Sequence, residues 1–269
     1  MVIQHNIAAN NAYRNLSANA SNGQKNLEKL SSGYRINRSA DDAAGLAISE
    51  QMRSKINGLD QATSNANDAI GLIQTAEGAL TETHSMLQRM VTLATQSANG
   101  TYNSTARGAI AEEVDALQKE INRIASTTDY NGVKPLSQTN TITVQIGPTA
   151  GEKLEVATAA MSTAALDIDA ISVTSTTKAN TAITKINDAI NIVSKHRAKL
   201  GASQNRLEHT INNLKSTNEN MTAAESRIRD TDMAKEMAAF TKNNILNQAA
   251  QSMLSQANQQ PQGVLSLLR

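Results

Sequence analysis

Between residues 46 and 99, apolar residues recur every three or four positions, and this pattern predicts the longest helix of the chain. The spacing continues without a slip and without a proline through Met52, Ile56, Leu59, Thr63, Ala66, Ile70, Ile73, Glu77, Leu80, His84, Leu87, Val91 and Ala94. Ten of these thirteen residues are apolar. Six heptads of this kind are too long for an ordinary globular helix. Because such a seam cannot face water, the helix needs a partner of similar length.

A second heptad pattern, between Ala179 and Ile228, predicts that partner. One of its two core registers is apolar throughout: Ile186, Val193, Leu200, Leu207, Leu214, Met221 and Ile228. The other register carries polar residues, which fix the alignment of a coiled coil at some cost in stability. The matching lengths favour antiparallel pairing within one chain, since short elements between the two stretches can return it. The alternative is that each stretch dimerises with a second copy.

The residues between the two stretches predict a third helix and a β-hairpin. Ser39 with Asp42 is predicted to open the first long helix, Asn99-Gly100 to end it, and Ser104 or Thr105 to cap the third. The seam of the third helix is Ile110, Val114, Leu117, Ile121 and Ile124. Within 139–157, Ile142, Val144, Ile146, Leu154 and Val156 alternate with polar residues around the turn 147–151. This alternation predicts two antiparallel strands.

Both ends of the chain are amphipathic and poor in charge. The N-terminal segment carries Ile3, Ile7, Tyr13, Leu16, Ala20, Gly23, Leu27, Leu30 and Tyr34, and the C-terminal face carries Met233, Met237, Phe240, Ile245, Ala249, Met253 and Leu254. Residues 259–263 are predicted to break the last helix before an apolar end at 264–268. We predict no intramolecular partner long enough to bury these segments, so they order when chains assemble. The alternative is ordinary terminal helices docked on the core.

The two halves of the chain mirror each other, and this symmetry predicts a mainly α fold. We expect a long antiparallel helical coiled-coil rod with a small β-hairpin and with both termini at one end. Apolar faces at that end favour stacking into a filament. The predicted assembly residues are Ile3, Ile7, Leu16, Leu27, Leu30, Met237, Phe240, Leu254, Leu265 and Leu268.

Composition narrows the functional classes. The net charge of +1 and the lack of a basic run argue against nucleic-acid binding. The absence of cysteine excludes disulfides and thiolate chemistry. No stretch predicts a signal peptide or a membrane span, which taken alone favours a cytosolic protein and leaves open export without a cleaved signal.

No constellation of residues predicts catalysis, a cofactor or a metal. The four histidines are scattered, and His84 lies on a heptad seam where packing is expected. Neither a metal-binding His motif nor a phosphate-binding Gly-rich loop occurs. The adjacent carboxylates Asp41-Asp42 and Glu112-Glu113 point apart on a helix. The sequence therefore predicts a protein that is not an enzyme.

Three segments resemble bacterial flagellin. Residues 31–48, from Ser-Ser-Gly-Tyr-Arg-Ile-Asn to Ala-Gly-Leu-Ala-Ile, are similar to the N-terminal signature of that family, and residues 220–234 are similar to its C-terminal signature. Residues 248–268 resemble its terminal helix. The resemblance covers nearly the whole chain.

The resemblance implies a subunit that assembles into the extracellular filament used for swimming. It implies a terminal-helix domain of residues 1–40 and 230–269, and a rod domain of 41–229 that includes the hairpin at about 139–157. The interval 131–177 has room only for this hairpin, so outer domains are absent. Implied partners are other copies, an export chaperone on the C-terminal segment, and hook-associated and cap proteins. Export is implied to be unfolded, through the flagellar type III channel, without membrane insertion.

The resemblance also implies a surface for Toll-like receptor 5 of a vertebrate host. The segment Gln88-Arg89, Leu93 and Gln96–Asn99 is similar to the one that this receptor reads, and Glu113 fills the matching acidic position. The implied receptor-binding residues are Arg89, Leu93, Gln96 and Glu113. Met86, Met90 and Leu93 form a second apolar stripe that a neighbouring helix or subunit should cover. Packing between subunits through the same surface is compatible with receptor binding.

Two other functions remain open at this point. A hook-filament junction protein would share the terminal helices, although the minimal middle favours the filament subunit. A cytosolic coiled-coil adaptor is the alternative from a different class.

Overall fold

The structure is a computed structural model of one chain that describes residues 6–267, with the backbone alone for 261–267. In chain order the elements are α1 (Ile7–Ser32), α2 (Ala43–Ala98), α3 (Ser104–Thr127), β1 (Thr141–Gln145), β2 (Lys153–Ala157), α4 (Thr176–Arg229) and α5 (Met233–Leu267). The predicted mainly α fold with one small hairpin is confirmed.

The chain divides into two compact units. A central unit comprises Asn57–Asn218, and a terminal unit lies within Met1–Ile56 and Glu219–Arg269. The divisions fall inside α2 and α4, whereas the predicted domain boundaries follow residues 40 and 229. The functional division into two domains stays a prediction.

Within the central unit, α2 and α4 run antiparallel. The Asn218 amide donates to Asp60 Oδ1 at 2.8 Å, and further along α2 the Arg197 guanidinium lies 3.5 Å from Glu77. Residues nearer the C-terminus of α2 therefore pair with residues nearer the N-terminus of α4. Pairing within the chain is confirmed, and the apolar register of α4 is buried from Ile186 to Leu214.

The buried stripe of α2 is wider than the predicted seam and rotated from it. One predicted register is buried: Leu59, Ala66, Ile73, Leu80, Leu87 and Ala94. The other, which includes Glu77 and His84, is only half-buried. Its place in the core is taken by Ala62, Ala69, Ala76, Thr83, Met90 and Ser97. The reason is that α2 belongs to a core that also includes Val114 of α3 and Leu154 of β2, besides residues of α4.

The predicted hairpin is confirmed, and it packs against α2. Ile142 pairs with Val156, and Val144 pairs with Leu154. The Ile146 N–H donates to the Glu152 carbonyl, and this bond closes the predicted five-residue turn 147–151. A Cβ added at Gly58 of α2 would lie 2.7 Å from Pro148 Cβ. Glycine therefore lets the turn lie directly on the helix.

Two of the predicted helix starts are wrong. The cap of α3 is Asn103, whose side chain accepts the Ala106 N–H at 2.8 Å, and not Ser104 or Thr105. At the start of α2, Asp42 accepts the Gly45 N–H at 2.9 Å without Ser39. In each case the residue directly before the helix is correctly placed to accept an N–H of the first turn.

The terminal unit contains α1 packed along α5, a pairing within the chain that the sequence did not predict. It buries no residue of α1, and the ordering of these segments on assembly stays a prediction. At one end of the pair the Asn6 side chain donates to the Ala257 carbonyl at 2.8 Å. The predicted break at 259–263 was wrong, because α5 continues to Leu267. A proline within a helix costs about 3 kcal/mol, and the neighbouring Gln259, Gln260 and Gln262, which form helices well, offset part of that cost.

The connection that follows α1 pairs with the connection that precedes α5. The Arg35 N–H donates to the Arg229 carbonyl at 2.6 Å, and the Thr231 N–H donates to the Gly33 carbonyl at 3.0 Å. The Arg229 guanidinium lies 4.7 Å from the centre of the Tyr34 ring and also pairs with Glu50. Backbone hydrogen bonds and a cation–π contact thus hold the segment before α2 against the C-terminal end of α4.

A carboxylate in the middle of the central core should unfold it. Leu207 is fully buried, so Leu207→Asp should lower the free energy of unfolding by about 3–5 kcal/mol, the cost of an unpaired buried charge. Denaturant unfolding followed by circular dichroism measures this change. Asn205→Asp on the exposed face of α4 is the control and should leave the midpoint nearly unchanged. An unchanged melt for Leu207→Asp would show that the core register is wrong.

Acid should destabilise the fold through His196. Burial lowers the pKa of this histidine from its ordinary value of 6.5, and the charge of Lys199 lowers it further. Below pH 6.5 the unfolded chain therefore takes up a proton that the folded chain resists, and stability falls as the pH falls. His196→Gln should flatten this part of the unfolding profile between pH 7.5 and 5. His209→Gln, at an exposed position of α4, should leave the slope as it is.

Candidate receptor and assembly surfaces

The predicted receptor surface contains an exposed ion pair between two helices. Arg89 on α2 reaches Glu113 on α3, and its Nε and Nη2 atoms each lie 2.8 Å from Glu113 Oε1. About half of each side chain is exposed. An ion pair so exposed contributes little to stability. Its main consequence is to hold a guanidinium in a fixed orientation at the surface.

Gln96 joins this surface, but Leu93 does not. Gln96 is exposed seven residues beyond Arg89, two helical turns away on the same face, and it donates to the Tyr102 hydroxyl at 3.0 Å. Leu93 is 2% exposed, and Met90 is fully buried. The core of the same chain therefore covers Leu93, as expected for a stripe of Met86, Met90 and Leu93 that a neighbouring helix covers. The role of Leu93 in receptor binding stays a prediction. The Leu93 side chain packs in the core beneath this surface.

The sequence reasoning missed Arg107, which closes one end of the central unit. Its Nε donates to the Ser97 carbonyl at 3.0 Å, and its Nη2 lies 3.0 Å from the Asn99 carbonyl and 3.1 Å from Thr176 Oγ1. It thus satisfies carbonyls at the C-terminal end of α2 and ties them to the start of α4. The available signal was a cation one turn into α3, seven residues beyond the Asn-Gly stop.

Large apolar side chains are exposed mainly on the two terminal helices. Among the side chains that the structure describes, eight of the eleven large exposed apolar groups belong to α1 or α5: Ile7, Tyr13, Leu27, Met233, Met237, Ile245, Leu246 and Met253. None of the residues Ile7–Ser32 is buried. The pair therefore leaves an apolar surface uncovered, far more than scattered single residues would.

The predicted assembly residues divide between the two sides of this pair. Ile7, Leu27 and Met237 face outward, with at least half of each residue exposed. Leu16, Leu30, Phe240 and Leu254 are half-buried. Ile3 and Leu268 lie outside the described residues, and so does the side chain of Leu265.

The inward face of each terminal helix differs from the apolar face predicted for it. The half-buried positions of α1 at heptad spacing are Ala9, Ala12, Leu16, Asn19, Gly23, Asn26 and Leu30. Those of α5 are Glu236, Phe240, Asn243, Asn247, Ala250, Leu254 and Ala257. Tyr13 and Leu27, which the apolar pattern placed on one seam with Leu16, face outward instead. Small and polar residues take their place because two close helices leave little room between them.

Neither a metal site nor a membrane span is found in the described part of the chain. Among the side chains that the structure describes, those of residues 6–260, no three acidic or histidine groups are placed to hold a metal ion. Over the same residues, no helix combines the length and apolar character needed to cross a bilayer. The features on which function can be argued are the exposed ion pair and the apolar outer faces. Together with long antiparallel helices, these features define a class of elongated-helix proteins whose apolar surface stays partly uncovered in the single chain.

Comparisons with known proteins identify the family within this class. Residues 3–141 match the bacterial flagellin N-terminal helical region, and residues 183–268 match the C-terminal helical region. The chain is 54% identical to a flagellin of Halalkalibacterium halodurans and 52% identical to one of Bacillus subtilis, in each case over the full length of both chains. The crystal structure of Bacillus cereus flagellin superimposes with a TM-score of 0.51 and 34% identity, covering 60% of this chain and 94% of that one.

The chain belongs to the bacterial flagellin family, and it is a structural subunit of the extracellular flagellar filament. The match over whole chains includes relatives of similar length, so the short middle is shared with them. The alternative of a cytosolic coiled-coil adaptor is thereby excluded.

Removing the Arg107 side chain should loosen the end of the central unit. Arg107→Ala deletes three hydrogen bonds from a charged donor, including the one to the carbonyl of the buried Ser97, so we expect a loss of about 2–3 kcal/mol in unfolding free energy. Urea denaturation of the full chain measures it. Arg206→Ala, on the exposed face of α4, should change stability by less than about 0.5 kcal/mol. Equal effects of the two substitutions would contradict the role assigned to Arg107.

Proposed function

We propose that copies of this chain assemble through the outward apolar faces of α1 and α5. In this proposal the terminal helices form the inner domain of the filament, and the rod domain of residues 41–229 surrounds it. The observation that carries the proposal is the concentration of exposed large apolar side chains on these two helices. Burying each such side chain stabilises an assembly by about 1.5–3 kcal/mol, so a row of them can drive polymerisation.

We further propose that the subunit is exported unfolded through the flagellar type III channel. The terminal pair has a seam of small and polar residues, which supports easy unfolding of this unit. A chaperone bound to the C-terminal segment would cover the apolar face of α5 before export, and the hook-associated and cap proteins would meet the same face at the growing end. The role is structural throughout and includes no catalytic step.

Polymerisation should depend on the outer face of α5. Ile245 is 62% exposed, so Ile245→Asp should leave helix content unchanged while raising the critical concentration at least about tenfold, because it places a charge in the interchain contact. Seeded polymerisation followed by light scattering measures this concentration. Asn244→Asp adds the same charge at the adjacent exposed position and serves as the control. Normal polymerisation of Ile245→Asp would show that the contact lies elsewhere.

We propose a second role for the central unit, as a ligand of Toll-like receptor 5. The supporting observation is that Arg89 and Glu113 are linked and exposed on adjacent helices, with Gln96 on the same face of α2. Arginine fixed in this way offers donors and a flat apolar face to a partner. If neighbouring subunits pack against the same surface, intact filaments signal poorly until they depolymerise.

Arg89→Ala should weaken receptor signalling by the monomer. Truncation of a hot-spot arginine costs at least about 2 kcal/mol, so we expect the half-maximal concentration in reporter cells to rise about thirtyfold. Arg123→Ala is the matched control, because it removes another exposed arginine paired with a glutamate. Full signalling by Arg89→Ala would contradict the assigned residue. Equal signalling by monomer and cross-linked filament would contradict the shared surface.

A further inference from the structure

The centre of the α1–α5 seam is polar, and polar residues in a helix seam can fix the alignment of the two helices. Asn19, Gly23 and Asn26 succeed one another at heptad spacing on α1, and Asn243 and Asn247 do so on α5. Alanine and leucine flank this polar centre on α1, whereas on α5 Phe240 lies on one side of it and alanine and leucine lie on the other. A seam of alanine and leucine alone would fit nearly as well after a slip of one heptad, because each residue would meet a similar one.

Asn26 links the two helices through its side chain. With the amide nitrogen turned towards the neighbouring acceptors, it donates to Glu236 Oε1 at 2.9 Å. The amide oxygen then accepts from Asn243 Nδ2 at 3.0 Å. A slip of one heptad would separate these three residues and leave polar groups unpaired in the seam, which is costly.

Asn247 fits α1 by shape and gains little in hydrogen bonding. Its Oδ1 is buried without a hydrogen-bond partner. Its Nδ2 lies 3.8 Å from the position that a Cβ would occupy on Gly23. The missing side chain of Gly23 leaves space at the level of Asn247. One asparagine is thus bonded across the seam, and the other lies opposite a glycine.

We propose that Asn26, Asn243 and Asn247 are specificity residues that set the axial register of α1 against α5. This inference rests on the proposed assembly through the outer faces, since the register decides where the apolar residues of α1 stand relative to those of α5. A polymer contact that spans both helices can form only when these rows are aligned. The orphaned oxygen of Asn247 indicates that the register is kept at a cost in stability.

Cysteine cross-linking measures the register directly, because the chain has no cysteine of its own. Ala8 and Ala257 line the same groove between α1 and α5, so Ala8→Cys with Ala257→Cys reports the native register. Ala8→Cys with Ala250→Cys reports a slip of one heptad. Full-length chains carrying either pair are oxidised before and after seeded polymerisation, and the disulfide-linked peptides are quantified by mass spectrometry.

Each cysteine pair is combined with Asn247→Leu, with Asn26→Leu and Asn247→Leu together, or with Asn244→Leu as the control on the exposed face of α5. With the native asparagines and in the control, the cross-link yield of the native pair should exceed that of the slipped pair by at least about tenfold. This ratio is the one expected if the slip costs a buried hydrogen-bonded group. In the double variant the ratio should fall below about threefold. Helix content should hold or rise, because leucine fills the seam.

An unchanged cross-link ratio in the double variant would overturn the inference, and so would a loss of helix content in both leucine variants. Failure of the assembly proposal gives a different result. In that case Ile245→Asp polymerises normally, whereas the cross-link ratio still responds to the asparagines.

Discussion

An apolar helical face must be covered, and the two helix pairs of this chain meet that requirement differently. In the central unit, α2 and α4 turn their leucines, isoleucines and valines inward and share a core with α3 and the hairpin. In the terminal unit, α1 and α5 turn alanines and asparagines inward and leave most of their large apolar groups exposed. The first pair buries its apolar face within the chain. The second leaves its apolar face uncovered, and the proposed assembly would bury that face against other copies.

The sequence predicted the long elements well because a heptad pattern held over six repeats has few other interpretations. The apolar register from Ile186 to Leu214 and the alternation around Val144 are both confirmed. The pattern could not show how many neighbours a helix has. Ala62 and Ala69 are small and carry little signal, yet they are buried because α2 shares a core with more than one element.

The surfaces were harder to predict than the fold. Arg89 and Glu113 meet as the resemblance implied, whereas the core of the chain covers Leu93. Arg107 was missed because its role depends on where the end of α2 and the start of α4 come together in space. On the terminal helices, the apolar faces were predicted to be covered only on assembly, and the seam between α1 and α5 was missed, since its alanines and asparagines carry little hydrophobic signal. The half-buried asparagines mark the face of each terminal helix that lies against the other helix of the same chain.

Hydrogen exchange in monomer and filament tests the central claim most directly. If the outer faces of α1 and α5 are the assembly surface, polymerisation should slow exchange of their backbone amides at least about a hundredfold, because opening this pair would require breaking interchain contacts. Amides of α2 and α4 within the central core, around Leu80 and Leu200, should be protected to nearly the same degree in both states. Equal protection of α1 and α5 in monomer and filament would contradict the account.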